Sequence, residues 1–531
     1  MAFFDFNAAV GRGAHPAGGA FETGEALRAE LSRLGISEAL VCHRLAAEAD
    51  VVKGNQLLLE CIDGCPGLYP CWVMAPPALG DLPDPNAWVG EAVACGVRAV
   101  RMMPAHSLYT LADWCVGPVV DALHEAGLPL LLDFGTHHWS QRVIPWPDIK
   151  RLCERRPELA VVIVGPTVGA TRDAVALLRR FPNLHIEMHR FAVPDGYQLL
   201  AREGLGGQLV FGTGLPTAAG ECATYQCRCS GLEPAEQEAV ASGNARRLLG
   251  LERPQAAIGS AASGDGAPAL PGVVIDAHAH FGSWERTIST VKEPEDIIAS
   301  MDRCGVDVLI GSSFSSIHGE MEAGNRETAD IIRGHPGRLY GFCGVNPHLT
   351  DRIQDELARC FEGDAAFVGL KFHCGLHAAD LDHPGYVPAL TYANEHALPV
   401  LVHGGGAGWK SVAAGFPRAP MIMAHACGWD GVSTAGRETH AIARDSDNVY
   451  VDVAGSAAHR GALRALVDLV GAGKVLFGSD FPMFDLGYEL GRVASSELDE
   501  AERAAVCGGN ALRVFGRLPR DAAHLNGRAG G

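Results

Sequence analysis

The stretch VIDAHAHFG, residues 274–282, decides how this chain folds and where its chemistry lies. Its apolar, β-branched start predicts a buried strand that ends near Asp276. Residues two apart on a strand share a face, so His278 and His280 point to the same side. Two neutral imidazoles that converge at a strand end form the beginning of a transition-metal site, although a lone pair of this kind also fits an ordinary polar strand end.

Later apolar runs end in the same way. ALPVLVHGG ends in His403, APMIMAHACGW carries His425, NVYVDVAG carries Asp452 and VLFGSDFP carries Asp480. The stretches between them have apolar residues at helical spacing. Alternating strands and helices predict an α/β fold with a parallel sheet. Polar residues at the carboxyl ends of several strands predict a (β/α)8 barrel of the TIM type with its site at that face.

The order of these residues resembles that of the amidohydrolase superfamily. A His-x-His pair is followed by a His, a second His and an Asp on later strands, and the closest resemblance is to the amidohydrolase-related, aminocarboxymuconate-semialdehyde decarboxylase-like group. The resemblance covers about residues 273–517 and implies a metal-dependent barrel enzyme. The further matching stretches are RGHPGRLYGFCGVNP (333–347), GLKFHCG (369–375), FGSDFP (477–482) and GNALRVFG (509–516).

The first half of the chain repeats the second half. GNARRLLG at Gly243 returns as GNALRVFG at Gly509, 266 residues later, and LVFGTGLP returns as VLFGSDFP at the same offset. A near-constant offset indicates a duplicated domain, so the sequence predicts two tandem barrels. The predicted parts are a degenerate amidohydrolase-like barrel at 1–254, a flexible linker rich in Ala, Gly, Ser and Pro at 255–271, a catalytic barrel at 272–519 and a disordered tail at 520–531.

The first copy has lost the residues that would bind a metal. Asp133, opposite His403, is the one metal-capable side chain that remains, and one carboxylate cannot supply three or four ligands. We therefore expect residues 1–254 to form a metal-free pseudo-enzyme domain. Opposite His278, His280, His425 and Asp480 stand Asn7, Ala9, Gly165 and Gly214. The other polar residues of the first copy, Arg101, His137, His138 and His189, are interpreted as solvated loop positions, with a binding role as the alternative.

In the second copy, nitrogen and oxygen ligands favour one divalent ion, which we expect to be Zn²⁺. The resemblance implies the same ligand set for a single metal. Asp480 is also predicted to take a proton from the attacking water, and His425 to polarise the scissile group or to transfer a proton. The predicted ligands are His278, His280, His403 and Asp480.

Lys371 ends another strand and admits two interpretations. In some members of the superfamily a carbamylated lysine at this place bridges two metals, which would make the site binuclear. A lysine at a strand end also pairs with a substrate carboxylate, and the group resembled here keeps one metal. We predict that the substrate is bound by Lys371, His373, Trp284 and Trp409. Trp429 is a further candidate for the pocket wall, and simple packing is the alternative for each tryptophan.

Three functions fit these residues. The first is a metal-dependent hydrolase, in which metal-bound water attacks an amide, lactone or related bond of a small molecule. The second is a metal-dependent nonoxidative decarboxylase, favoured if Lys371, Arg286 and Arg326 grip a carboxylate. The third is a noncatalytic protein with a structural metal, which the open ligand set argues against. We expect hydrolysis.

The composition argues against several other classes. A net charge of −19 does not favour binding to nucleic acids or anionic membranes through a basic surface. No apolar run approaches the ~18 residues of a membrane span. Sixteen cysteines without framework spacing, and a start, MAFFDFNAAVG, without a basic region, predict a cytoplasmic enzyme with reduced thiols. We expect the first barrel to pack on the second as an internal pseudo-dimer, and further homo-oligomerisation is compatible with this arrangement.

Overall fold

The computed structural model describes residues 1–136, 140–251, 270–286, 288, 291, 293–363, 366–426, 431–455 and 458–519. The chain divides into two compact units, residues 1–267 and 268–531. Apart from Leu270 and Pro271, the linker predicted at 255–271 lies outside the described residues, as does the whole tail predicted at 520–531. No helix in the described part of the chain is long and apolar enough to cross a membrane.

The first unit is an eight-stranded parallel barrel surrounded by helices. Its strands, paired in chain order, are β1 (Phe3–Val10), β2 (Ile36–His43), β3 (Leu68–Val73), β4 (Ala99–Met102), β5 (Leu130–Leu132), β6 (Val161–Ile163), β7 (Leu184–Glu187) and β8 (Leu209–Val210). Its helices are α1 (Gly24–Arg33), α2 (Arg44–Glu48), α3 (Val51–Ile62), α4 (Pro85–Ala94), α5 (Asp113–Ala126), α6 (Trp146–Arg155), α7 (Thr171–Leu178), α8 (Gly196–Arg202), α9 (Gly220–Arg228), α10 (Pro234–Glu238) and α11 (Asn244–Leu248). A π-helical turn at Ala239–Gly243 joins the last two helices.

The second unit repeats this architecture. Its strands, again all parallel and in chain order, are β9 (Ile275–Phe281), β10 (Val308–Ser313), β11 (Leu339–Gly344), β12 (Phe367–His373), β13 (Val400–His403), β14 (Met421–Met423), β15 (Val449–Asp452) and β16 (Val475–Leu476). Its helices are α12 (Pro294–Cys304), α13 (Phe314–His318), α14 (Met321–Gly334), α15 (Ile353–Phe361), α16 (Cys374–His377), α17 (Val387–His396), α18 (Trp409–Gly415), α19 (Thr434–Asp445), α20 (Ala462–Val470), α21 (Leu486–Ala494), α22 (Glu500–Ala504) and α23 (Asn510–Val514). The equivalent π-helical turn lies at Ala505–Gly509. The predicted tandem (β/α)8 barrels are confirmed.

Each barrel has its own apolar core. Parallel strands are covered on both faces, so they appear in the sequence as continuous apolar runs such as LLL in β5 and VVI in β6. Phe4, Leu40 and Leu131 belong to the buried cluster of the first barrel. Their counterparts Ile275, Ile310 and Leu401 belong to that of the second. Both copies therefore meet the same packing requirement, with different apolar residues in two of these three pairs.

A buried carboxylate ties the first strand to the segment that follows the last strand in each barrel. Asp5 accepts hydrogen bonds from the Thr213 amide at 2.9 Å and from the Thr213 hydroxyl, as well as from the amide two residues ahead on its own strand. Asp276 makes the same three contacts with Ser479 and with its own strand. Because both copies keep this arrangement, we assign it to barrel closure rather than to catalysis.

Burial raises the pKa of the Asp5 carboxyl from 3.8 to about 6, although the hydrogen bonds from Thr213 act in the opposite direction. A raised pKa means that the folded state binds the proton more tightly than the unfolded state does. The stability that this protonation contributes is therefore present at low pH and is lost as the pH rises through about 6.

We expect Asp5→Asn to remove this pH dependence. Between about pH 5 and about pH 8, the free energy of unfolding of the variant should gain roughly 1 kcal/mol relative to that of the original protein. Calorimetric unfolding at several pH values measures this difference. Asp84→Asn, which changes an exposed helix-capping aspartate, is the control and should give a flat difference. A flat difference for Asp5→Asn as well would contradict the prediction.

Candidate metal centre

The polar strand ends predicted from the sequence meet at the carboxyl end of the second barrel. His278 and His280 lie on β9, and the candidate ligand atoms of these two residues and of Asp480 all lie within 4.8 Å of one another. His278 also forms such a group with His425 and Asp452. Both groups consist of the imidazole nitrogens and carboxylate oxygens that transition metals bind.

Three of the four predicted ligands therefore converge, and the fourth lies next to a neighbouring histidine. Asp480 Oδ1 is 3.1 Å from His280 Nε2 and 3.5 Å from His278 Nε2. His403 ends β13, and its Nδ1 is 2.9 Å from His425 Nε2. His403 thus contacts the site through His425, and it belongs to neither of the two groups of converging donor atoms.

The backbone at His425 and Asp480 is left-handed. Their φ angles are 66° and 60°, values that cost a non-glycine residue about 1–2 kcal/mol. The counterparts in the first barrel, Gly165 and Gly214, keep the conformation, with φ of 52° and 69°. Both copies thus have the same turns after these strands. In the second copy the left-handed backbone is strained, because these positions carry side chains. Such strain is typical of functional positions.

The protonation states of the donors suit a divalent cation. Burial lowers the pKa of His278 to about 4 and also lowers those of His280 and His403, so these imidazoles are neutral near pH 7. Burial tends to raise the pKa of Asp480, but the hydrogen bond with His280 and the neighbouring imidazoles hold it well below its usual value. Neutral imidazoles and an ionised carboxylate are the forms that bind metal. The residues present therefore fit a metal ion.

Lys371 lies inside this group of ligands. Its side chain is buried, and its Nζ is 2.7 Å from His278 Nε2. Burial lowers the pKa of the Lys371 ammonium to about 8. His373, two residues further on β12, stacks its ring on His403 with centroids 4.0 Å apart, and its Nδ1 accepts a hydrogen bond from the Leu376 amide. Two of the four predicted substrate-binding residues, Lys371 and His373, therefore contact candidate ligands directly.

The predicted tryptophans occupy different environments. Trp284 lies 5.9 Å from the ring of Phe314, which in turn stacks on His280 at 4.7 Å, so an aromatic wall extends from one candidate ligand. Trp409 is buried, and its Nε1 donates to the Gly404 carbonyl at 3.0 Å. Trp429 lies outside the described residues. Phe314 was not singled out from the sequence, where it is an ordinary apolar residue after a strand.

Asp452 is a functional candidate to which the sequence analysis assigned no role. Its Oδ2 is 2.9 Å from His278 Nδ1, and its Oδ1 accepts the backbone N–H of His425 at 2.9 Å. Burial tends to raise the pKa of Asp452, but His278 and His425 hold it below its usual value. The ionised carboxylate fixes the proton of His278 on Nδ1 and leaves Nε2 as a ligand atom. Its place at a strand end was the one available signal.

In the first barrel, the corresponding space is filled by the protein's own polar side chains. Arg101 Nη2 donates to Asn7 Oδ1 at 2.6 Å, and its Nη1 lies 3.5 Å from Asp133. Asn7 in turn donates to Glu187 at 3.1 Å, and Glu187 pairs with His189 Nδ1 at 2.6 Å. Among the described residues of this barrel, no three ligand side chains converge as they do in the second barrel.

The interpretation of Arg101 and His189 as solvated loop positions is wrong. Arg101 is 6% exposed and His189 is 8% exposed, because both point into the barrel. His189 takes the space next to the two glycines that replace metal-site residues. A Cβ atom on Gly165 or Gly214 would approach its ring to 2.3 Å or 2.6 Å. The other two histidines interpreted in this way, His137 and His138, lie outside the described residues.

Several solved structures resemble this chain. The 5-carboxyvanillate decarboxylase of Sphingomonas paucimobilis is 15% identical, with a TM-score of 0.36 over 46% of this chain and 99% of the other. The 2,6-dihydroxybenzoate decarboxylase from Rhizobium is 15% identical (TM-score 0.37, 46% and 99% covered). The 4-oxalomesaconate hydratase of Rhodopseudomonas palustris is 18% identical (TM-score 0.37, 48% and 98% covered). At these identities the likeness concerns the fold alone.

The sequence family is established separately. No protein of curated function matches the chain significantly in sequence. The family model described as Amidohydrolase matches residues 23–251 and 275–517, one segment in each barrel. Family membership and the convergent donors of the second barrel together support metal dependence. The two segments span more than half of the 531 residues, and the chain therefore belongs to the amidohydrolase family of enzymes.

Proposed function

We propose that the second barrel is a Zn²⁺-dependent hydrolase that cleaves an amide, lactone or related bond of a small molecule, and that the first barrel is a pseudo-enzyme domain that binds no metal. One observation carries this proposal: the ligand atoms of His278, His280 and Asp480 lie within 4.8 Å of one another. His403 completes the proposed ligand set. Nitrogen and oxygen donors in this combination suit zinc.

In this proposal the side chains around the ion have separate chemical roles. When bound, a zinc ion lowers the pKa of a water molecule and polarises a carbonyl oxygen. Asp480 holds its carboxylate ionised and accepts the proton of the attacking water. His425 is oriented by two hydrogen bonds, from its amide to Asp452 and from its Nδ1 to the Ala454 carbonyl, and it is the candidate either to polarise the scissile group or to carry the proton taken by Asp480 to the leaving group.

The charges around the site favour hydrolysis over decarboxylation. A decarboxylase of a substrate with a second carboxylate needs a cationic cluster to grip it, and Arg326 is instead exposed on α14. Lys371 contacts His278 rather than the aromatic wall.

One observation favours the decarboxylase as a second candidate. The guanidinium of Arg286 lies 5.5 Å from the centroid of the Trp284 ring, beside the aromatic wall. A cation there would attract a carboxylated cyclic substrate. Carbon dioxide would then leave the substrate, and a proton would take its place on carbon.

We expect about one divalent ion per chain, held by the second barrel. His278→Ala should lose this ion, because His278 is common to both groups of donor atoms. Asn7→Ala, the matched change in the first barrel, should retain it. Elemental analysis of the three proteins makes the comparison. A second ion that His278→Ala retains, or loss of the ion in Asn7→Ala, would contradict the assignment of the first barrel as metal-free.

We expect Asp452→Asn to weaken zinc binding by about 10- to 100-fold, the usual effect of removing a carboxylate that orients a ligand histidine. The amide cannot hold the His278 proton with a full negative charge. Competition with a chromophoric chelator measures the affinity. Glu187→Gln is the counterpart in the first barrel and should leave the affinity unchanged. Equal affinities in the two variants would refute this role for Asp452.

The reaction type can be read from the isotopes in the product. We expect substrates found in a panel of amides, lactones and carboxylates to acquire heavy oxygen from labelled water, with no release of carbon dioxide. Asp480→Asn should abolish this incorporation, because the general base is lost. The same reactions in deuterated water are the second measurement. Release of carbon dioxide with deuterium bound to carbon would overturn the hydrolase in favour of the decarboxylase.

A further inference from the structure

The loop after β15 is held by an arginine that lies outside the metal centre. Arg492, on α21, donates through Nη1 to the Val453 carbonyl and through Nη2 to the Gly455 carbonyl at 2.7 Å. The side chain is 4% exposed. Its planar fork therefore grips the two carbonyls on either side of Ala454. Glu489, one turn earlier on the helix and fully buried, has a carboxyl oxygen 3.1 Å from Nη2.

The carbonyl of Ala454, which lies between the two carbonyls bound by Arg492, faces His425. The Ala454 oxygen lies 3.3 Å from His425 Nδ1. A carbonyl oxygen can only accept a hydrogen bond, so neutral His425 carries its proton on Nδ1 and has an acceptor at Nε2. The direction of this bond fixes one of the two tautomers of His425.

The same bond sets the state of the next imidazole. His425 Nε2 lies 2.9 Å from His403 Nδ1. Because His425 accepts at Nε2, His403 donates from Nδ1 and keeps the lone pair of its own Nε2 for a cation. One backbone carbonyl therefore determines the tautomers of both a proton-transfer residue and a candidate metal ligand.

The first barrel shows that the fold does not need this arginine. At the offset of 266 residues, Gln226 stands in the place of Arg492 and Ala223 in that of Glu489. Gln226 is buried and donates a single hydrogen bond, to the Phe191 carbonyl at 3.2 Å. This barrel closes all the same, and it has Gly165 where the second barrel has His425. The arginine and the glutamate are therefore found together in the copy that has an imidazole to orient.

We propose that Arg492 is a positioning residue, which holds the loop 453–455 so that Ala454 selects the tautomers of His425 and His403. The inference deepens the proposed function, since it concerns the same site and rests on the roles given there to these two histidines. Removal of the fork would free the Ala454 carbonyl to rotate, and both imidazoles would then exchange between tautomers.

The test is a measurement of the histidine tautomers in the full-length, metal-free protein. Nuclear magnetic resonance of ring-labelled histidine distinguishes the two nitrogens, and His425→Gln identifies the signals of His425. We expect one tautomer, protonated at Nδ1, in the original protein and a mixture in Arg492→Gln, which copies the first barrel. Arg492→Lys, which reaches one carbonyl, should lie between them and serves as the test if Arg492→Gln does not fold. An unchanged spectrum would overturn the proposal.

Arg338→Gln is the matched control. Arg338 also binds two backbone carbonyls, those of Asp307 at 2.8 Å and Val306 at 3.1 Å, but it does so before β10, at the opposite end of the barrel. We expect this variant to keep the His425 signals unchanged. A mixture of tautomers here as well would show that general loosening is the cause, and would overturn the specific role of Arg492.

Zinc binding by the same variants separates this inference from the proposed function. We expect Arg492→Gln to bind zinc about 10-fold more weakly than Arg338→Gln, since orienting contacts of metal ligands have effects of this size. Equal affinities would overturn the link from Arg492 to His403. If the original protein binds no zinc, the proposed function fails, whereas the tautomer measurement still decides the role of Arg492.

Discussion

The buried carboxylate of Asp276 is the interaction on which the second barrel and its site both depend. A barrel must join its first strand to its last, and Asp276 does so by accepting hydrogen bonds from the amide and the hydroxyl of Ser479. The same oxygen that binds the Ser479 amide also accepts the amide of His278 at 3.1 Å. The same carboxylate therefore closes the barrel and fixes the backbone next to the candidate ligands His278 and Asp480. The order of a metal site at this junction of the first strand with the last therefore depends on the hydrogen bonds of Asp276.

The duplication separates the requirements of the fold from those of the chemistry within one chain. The buried carboxylate that closes the barrel is present in both copies. An asparagine that binds both the N–H and the carbonyl of the last residue of a strand is also present in both copies. Asn55 binds Val73 in this way, and Asn325 binds Gly344. The imidazoles, Asp480 and Arg492 occur in the second copy. Interactions common to both barrels therefore serve the fold, whereas those confined to the second are candidates for function.

Much of this organisation could be predicted from the sequence because it depends on local patterns. Alternation of apolar runs and a constant offset predicted the two barrels, and strand periodicity alone predicted that His278 and His280 share a face. The role of Asp452 could not be predicted, because it contacts His278 across 174 residues of sequence. The grip of Arg492 on backbone carbonyls has no sequence motif at all. The predicted domain boundaries, the packing of the two barrels and the cytoplasmic location stay predictions.

The burial of Arg101 shows why charge is a poor guide to exposure in the first barrel. Acidic side chains, Asp133 and Glu187, lie at the carboxyl ends of strands of this barrel, and burying them without a positive charge would be costly. Arg101 supplies that charge from within the chain, next to Asp133, and it bonds to Asn7 where the second barrel has a histidine. The guanidinium of Arg101 thus supplies the positive charge that a bound cation would otherwise supply. The degenerate barrel remains a closed, buried polar network because an internal cation stabilises it.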